Sequence, residues 1–111
     1  VYEFQVSKKK VNESKLVKEL RKGVRTTSGD TDIDIVLEDG TFIQAKAWKK
    51  IPGSKKVIDD FDALIAKYHK ENPSAAIVFV FGCPENLVDE RVKTFLKAEG
   101  VIIEYLEYIG P

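Results

Sequence analysis

The segment Asp34-Ile35-Val36-Leu37-Glu38-Asp39-Gly40-Thr41-Phe42-Ile43-Gln44-Ala45-Lys46 constrains the fold more than any other part of this chain. Asp39-Gly40 is a hairpin signal between two apolar runs. A two-residue loop would set Asp34 opposite Ala45 and turn Gln44 to the other face. A three-residue loop, Glu38-Asp39-Gly40, sets Asp34 opposite Gln44 and Asp32 opposite Lys46. It also puts Gly40 in the left-handed bulge position that such loops use. The same register gathers Ile33, Ile35, Ile43, Ala45 and Ala47 on one apolar face. Side chains alternate along a strand, so a slip of one residue would break both sets together. The longer loop is therefore favoured. Asp34, Gln44 and Lys46 then sit in strands whose other residues are apolar. Burying such groups is unfavourable unless they are paired or bind a metal. A metal-dependent phosphodiester-cleaving site would account for them. A buried ion pair between Asp34 and Lys46 is the structural alternative, although such pairs are poor stabilisers.

The flanking elements can be read in order. Tyr2, Phe4 and Val6 alternate with polar residues and suggest a short leading strand. Asn12 resembles a helix N-cap, with Val11 and Leu16 spaced as a hydrophobic staple. A helix is predicted over Glu13–Lys22, stopped by Gly23, followed by strands at Val24–Thr27, Asp32–Leu37 and Thr41–Trp48. Ser54 is a cap candidate for a helix over Lys55–Glu71, where Ile58, Phe61, Leu64, Ile65 and Tyr68 recur at helical spacing. Asn72-Pro73 ends it. Ala75–Phe81 is a continuous apolar run, as in a central strand buried on both faces. A third helix is predicted over Asn86–Glu99 with Leu87, Val92, Phe95 and Leu96 inward, then a strand over Val101–Ile109. The alternation of strands and helices predicts an α/β fold around a mixed sheet.

A chain of 111 residues supports a single domain, 1–111. It begins at Val1 and contains no Met, which suggests a domain from a longer chain. No apolar run is long enough to span a membrane and no signal peptide is visible, so a cytoplasmic location and no membrane partner are expected. The single cysteine, Cys83, excludes an internal disulfide and a Cys-rich zinc site. The net charge is zero, but residues 1–56 hold 13 basic and 8 acidic side chains, whereas residues 57–111 hold 5 and 10. The half with the polar hairpin is therefore basic, and phosphate binding depends on local charge.

Gly29-Asp30-Thr31-Asp32-Ile33-Asp34, followed by Gln44-Ala45-Lys46-Ala47-Trp48, resembles the Mrr-type catalytic domain of the PD-(D/E)XK nuclease superfamily. The resemblance extends from Asn12 to about Leu106. It implies a restriction-endonuclease-like fold, a three-layer α/β/α sandwich around a mixed five-stranded sheet. It also implies a magnesium- or manganese-dependent endonuclease in which Asp34 is the metal-binding aspartate and Lys46 the catalytic lysine. Gln44 stands where most relatives carry glutamate. Glu13 matches an accessory glutamate near the start of the first helix. The spacing from Asp34 to Gln44 is shorter than the pattern, and Asp32 stands where that pattern has glycine. Asp32 is thus either an extra ligand or the main metal aspartate. DNA is favoured over RNA as substrate, and a homodimer is one assembly the chain could form.

The remaining residues complete the expected site. Magnesium prefers hard oxygen ligands, which Asp34, Asp32 and the Gln44 amide supply. Lys46 would orient the attacking water or neutralise developing charge. Lys49, Lys50, Lys55 and Lys56 would grip phosphates, or else form a solvated loop. Trp48 would stack on a base, or else pack at the edge of the core. His69 reads as a surface residue, since no companion lies at ligand spacing. Cys83 reads as a turn or packing residue. Two alternatives stay open, an RNA-cleaving effector or toxin domain on the same fold and a nucleic-acid-binding module that has lost cleavage.

Overall fold

The computed structural model describes residues 17–25 and 31–106. Strands β1 (Val17–Arg25), β2 (Thr31–Leu37) and β3 (Phe42–Lys46) lead to helix α1 (Lys55–Glu71) and strand β4 (Ile77–Phe81). A 3-10 turn (Glu85–Leu87), helix α2 (Glu90–Ala98) and strand β5 (Ile102–Tyr105) follow. The sheet runs in the order β1-β2-β3-β4-β5. The first three strands are antiparallel, and β3, β4 and β5 are parallel. Parallel neighbours need a crossover, which α1 and α2 provide.

The hairpin follows the longer-loop register. Asp34 pairs with Gln44, Ile35 with Ile43 and Val36 with Phe42. The Gly40 amide donates to the Leu37 carbonyl at 2.9 Å, and the Leu37 amide donates to the Thr41 carbonyl at 2.9 Å. Gly40 has φ +92°, a conformation that L side chains rarely adopt. The Asp39 carboxylate accepts from the Thr41 amide at 2.9 Å and braces the same turn.

Alternation sorts the strands into two clusters. Ile35, Leu37, Ile43, Ala45, Val78 and Val80 form one face. Val36, Phe42, Ile77, Phe79 and Phe81 form the other, packed against Val57, Phe61, Ile65 and Tyr68 of α1 and Val92 and Leu96 of α2. Both described helices therefore cover the same face of the sheet. Phe61 anchors that layer, edge-on to Phe79 at 5.1 Å and stacked on Phe81 at 6.0 Å. Among the described residues no helix is long and apolar enough to cross a membrane.

Several expectations are corrected. Residues 17–22, predicted as part of a helix, belong to β1 and pair with β2, Leu20 opposite Ile35 and Lys22 opposite Ile33. The spacing of Leu16, Val17 and Leu20 fits a helix, but backbone pairing along β2 outweighs that local pattern. Gly23 ends no helix and lies in a register shift between Lys22 and Arg25. Strand β3 stops at Lys46, so Ala47 is exposed rather than part of the apolar face. The predicted helix over Asn86–Glu99 is two elements, because Asp89 caps a new helix by accepting from the Arg91 amide at 2.9 Å. Leu87 consequently faces solvent and Val88 is buried in its place. The leading strand at Tyr2, Phe4 and Val6, the Asn12 cap with its Val11–Leu16 staple, Glu13, and the Gly29-Asp30 start of the motif lie outside the described residues.

Candidate active site

The β2–β3 register pairs the Asp34 position with Gln44, which lies on the helix-covered face with Phe42. Lys46 is two residues further along, opposite Phe81 of β4. Asp32 lies two residues before Asp34 on β2. Gln44 is 0% exposed and Lys46 is 7% exposed. Two strongly polar side chains are therefore buried in a face otherwise made of aromatic and aliphatic groups.

Each has a defined neighbour. The Tyr68 hydroxyl, on α1, donates to Gln44 Oε1 at 2.8 Å in a buried hydrogen bond. Tyr68 is itself 0% exposed and stacks on Phe42 with ring centroids 4.6 Å apart. Gln44 Nε2 is buried without a hydrogen-bond partner among the described residues. Lys46 Nζ lies 5.2 Å from the centroid of the Trp48 ring, a cation–π contact. Trp48 in turn stacks on Phe61 at 6.3 Å. Its ring is thus engaged on the core side as well as beside Lys46.

The loop after β3 carries the lysines. Lys49, Lys50, Lys55 and Lys56 are all exposed. Lys55 is the least available, since it pairs with Asp59 at 2.6 Å across one helical turn and that bond raises its pKa. Ile51 bolts the loop to the segment before α2. Its amide donates to the Leu87 carbonyl and its carbonyl accepts from the Asp89 amide, both at 3.0 Å. Gly53 lies directly under the Asp89–Arg91 pair, where an added Cβ would sit 2.5 Å from the Asp89 carboxylate and 2.9 Å from Arg91 Nε. The Arg91 guanidinium, hydrogen-bonded to the Asp89 carboxylate at 3.1 Å, holds that carboxyl below its ordinary range, and Lys50 contributes weakly. Tyr68 is a neighbour of Gln44, and Arg91 a neighbour of Gly53 in the lysine loop, and neither contact is visible in the sequence. No local motif marks either one, because α1 and α2 bring them in from a distance.

Cys83 is buried after β4, and burial pushes its thiol pKa up, away from the reactive thiolate. His69 is exposed on α1. Among the described residues no group of three or more His, Cys, Asp and Glu could hold a metal ion. The donors in question are Asp34, Asp32 and Gln44. The amide and the Asp34 position share one rung of the ladder. The oxygen and nitrogen of an amide are interchangeable in shape, so one buried polar atom of Gln44 awaits a partner in either orientation. In kind, these residues fit a hard divalent cation.

The arrangement belongs to the class of α/β proteins with a mixed sheet and crossover helices. No family model matches the chain, and no curated protein matches it. Solved structures do. The fold is similar to EndoMS in its apo form, with a TM-score of 0.65, 12% identity, and 99% of this chain aligned to 48% of that one. It is similar to a repair endonuclease from Pyrococcus abyssi, with a TM-score of 0.63, 14% identity, and 95% of this chain on 45% of that one. An EndoMS–dsDNA complex matches with a TM-score of 0.55, 10% identity, and 98% of this chain on 46% of that one. The chain spans about half the length of each of these structures.

Proposed function

We propose that the chain is a metal-dependent endonuclease domain that hydrolyses phosphodiester bonds in DNA, built on a restriction-endonuclease-like three-layer sandwich of the Mrr type. The observation that carries this reading is the rung that pairs Asp34 with Gln44, with buried Lys46 two residues beyond. The fold likeness to EndoMS, to a repair endonuclease and to an EndoMS–dsDNA complex supports it. Asp34 and Gln44, with Asp32 as a further oxygen donor, would hold Mg2+ or Mn2+. A bound ion of this kind supplies an acidified water and offsets charge on phosphoryl oxygens.

The chain's own groups have separate tasks in this reading. Lys46, held over Trp48 in an environment poor in water, presents a positive charge where negative charge grows on the phosphate. Burial strengthens that interaction relative to bulk solvent. Lys49, Lys50 and Lys56, with Lys55 partly occupied by Asp59, position the backbone of the nucleic acid without reading its sequence. The anchored loop keeps those charges beside the end of β3. The test is incubation with duplex DNA, single-stranded DNA and tRNA, each with Mg2+ and with EDTA. Cleavage of DNA that EDTA suppresses is expected. Cleavage confined to tRNA would transfer the activity to an RNA-cleaving domain.

One observation favours a second reading, a nucleic-acid-binding module without cleavage. Gln44 is fully buried and already engaged by Tyr68, as a structural amide would be. Salt-sensitive binding of DNA with no cleavage by Mg2+- or Mn2+-loaded protein would select that alternative.

A further inference from the structure

Trp48 joins the end of β3 to the aromatic layer behind it. Strand β3 stops at Lys46, so Trp48 lies just past the ladder, yet the chain is held on both sides of it. Before it, the Gly82 amide donates to the Lys46 carbonyl at 2.7 Å. Gly82 packs so closely there that an added Cβ would sit 3.0 Å from Ala47 Cα. After it, the Ile51 backbone is bonded to Leu87 and Asp89. The ring is half-buried and stacked on Phe61, a buried residue of the helix-covered layer. Backbone and ring are therefore both fixed. The aromatic surface that Lys46 Nζ meets, 5.2 Å from the ring centroid, is a rigid one.

We propose that Trp48 is the positioning residue for Lys46, its ring holding the ammonium where charge develops on the phosphate, and is not a platform for a base. The proposal rests on the endonuclease reading above. Lysine carries a compact charge on a flexible four-carbon stem, so burial by itself leaves it several poses. An ammonium within about 6 Å of a ring centroid is drawn to the electron-rich face, more strongly where water is excluded. Lys46 is buried, so its contact with Trp48 acts in the stronger regime. A charge that stabilises a transition state must be in place beforehand, and a displacement of about 1 Å can cost about 100-fold in rate. The ring's contacts with Phe61 and Lys46 both lie within the chain, so they account for the placement of Trp48 without a bound base.

The experiment exploits Trp48 being the only tryptophan in the chain. Incorporation of mono-, di- or trifluorotryptophan therefore alters this ring alone, drawing electron density from its face at nearly constant shape. Steady-state cleavage of duplex DNA with Mg2+ is measured for each protein, alongside Trp48→Phe and Trp48→Leu. With added fluorine, kcat is expected to fall stepwise while KM and the thermal midpoint stay constant. Trp48→Leu should lose about 2- to 30-fold in kcat, the strength of a cation–π contact converted to rate, and Trp48→Phe should recover part of that loss. The fluorinated proteins keep the indole, so they decide the matter if Trp48→Leu does not fold. A kcat independent of fluorination would reduce Trp48 to packing and overturn the proposal. A change in KM at constant kcat would assign the ring to a base and overturn it too. Wild-type protein that cleaves no duplex DNA would overturn the endonuclease reading, and the role of Trp48 with it. The contact also has a readout without nucleic acid or metal. The Lys46 methylene next to Nζ should resonate upfield of an ordinary lysine in NMR spectra, because of the ring beside it, and Trp48→Leu should abolish that shift. An ordinary position in wild-type protein would overturn the proposal whatever the activity.

Discussion

Gln44 and Lys46 are polar side chains on a face otherwise made of Phe42, Phe79 and Phe81. Such a placement needs compensation, and the Tyr68 hydroxyl and the Trp48 ring each provide part of it. If the pair serves phosphodiester cleavage, Asp34→Ala and Lys46→Ala should each abolish activity while circular dichroism stays that of the wild type. Retained activity in folded Asp34→Ala protein would move the metal role to Asp32 or remove it. Gln44→Glu should tighten Mg2+ or Mn2+ binding in a calorimetric titration, because it adds a negative charge and an oxygen acceptor. Weaker binding by the glutamate variant would show that residue 44 does not face the ion. The Asp34–Gln44 pairing was legible from the chain itself, since loop length and strand alternation are local properties. Tyr68 was legible only as a core residue. Its bond to Gln44 spans 24 positions and depends on how α1 crosses the sheet.

At the level of elements, the caps and turns behave as local chemistry dictates. The Ser54 side chain accepts from the Val57 amide at 3.3 Å and starts α1 at Lys55, and Asn72 ends it. The start of α2 depends on Asp89 in addition to backbone pairing with Ile51. Since Arg91 depresses the Asp89 pKa in the fold, that carboxylate contributes stability above its unfolded pKa. The contribution is lost as pH falls through the folded value. Urea midpoints of wild type and Asp89→Asn should therefore differ more at about pH 7 than at about pH 2, below the usual aspartate pKa of ~3.9. A constant gap across that range would remove charge from the explanation. Gly53→Ala should cost about 1–2 kcal/mol in urea denaturation, because the new methyl displaces the capping carboxylate of Asp89. A midpoint equal to that of wild type would mean that the loop yields freely. Strand β1 shows where local patterning failed, since Leu20 belongs opposite Ile35 and only partner strands determine that.

For the molecule as a whole, charge is distributed rather than balanced. The basic half contains β3 and the lysine loop, whereas the acidic half contains most of α1 and all of α2. Nucleic-acid binding by cleavage-deficient protein should weaken steeply with salt. Replacing Lys49, Lys50, Lys55 and Lys56 with Ala should flatten log affinity against log salt. The slope should fall by ~0.7–0.9 for each phosphate that is no longer neutralised, up to ~3–4 in total. Lys55 should contribute least, given its pair with Asp59. An unchanged slope in the quadruple variant would make the loop a solvated surface and direct attention to Lys8, Lys9 and Lys10, which lie outside the described residues.

The sequence by itself determined the hairpin, its register, the bounds of α1 and the buried character of β4, because turn chemistry, capping and periodicity act over a few residues. Alternation from the same turn put Gln44 and Lys46 on one face of β3, with Asp34 across from Gln44. The tertiary structure alone decided that residues 17–22 form a strand, that Asp89 divides the predicted third helix from its first turn, and that Leu87 is exposed. It alone brought Tyr68 to Gln44, and Arg91 over Gly53. Each of those outcomes depends on pairing or packing between segments far apart in the chain, where the energy lies in contacts that no local window contains.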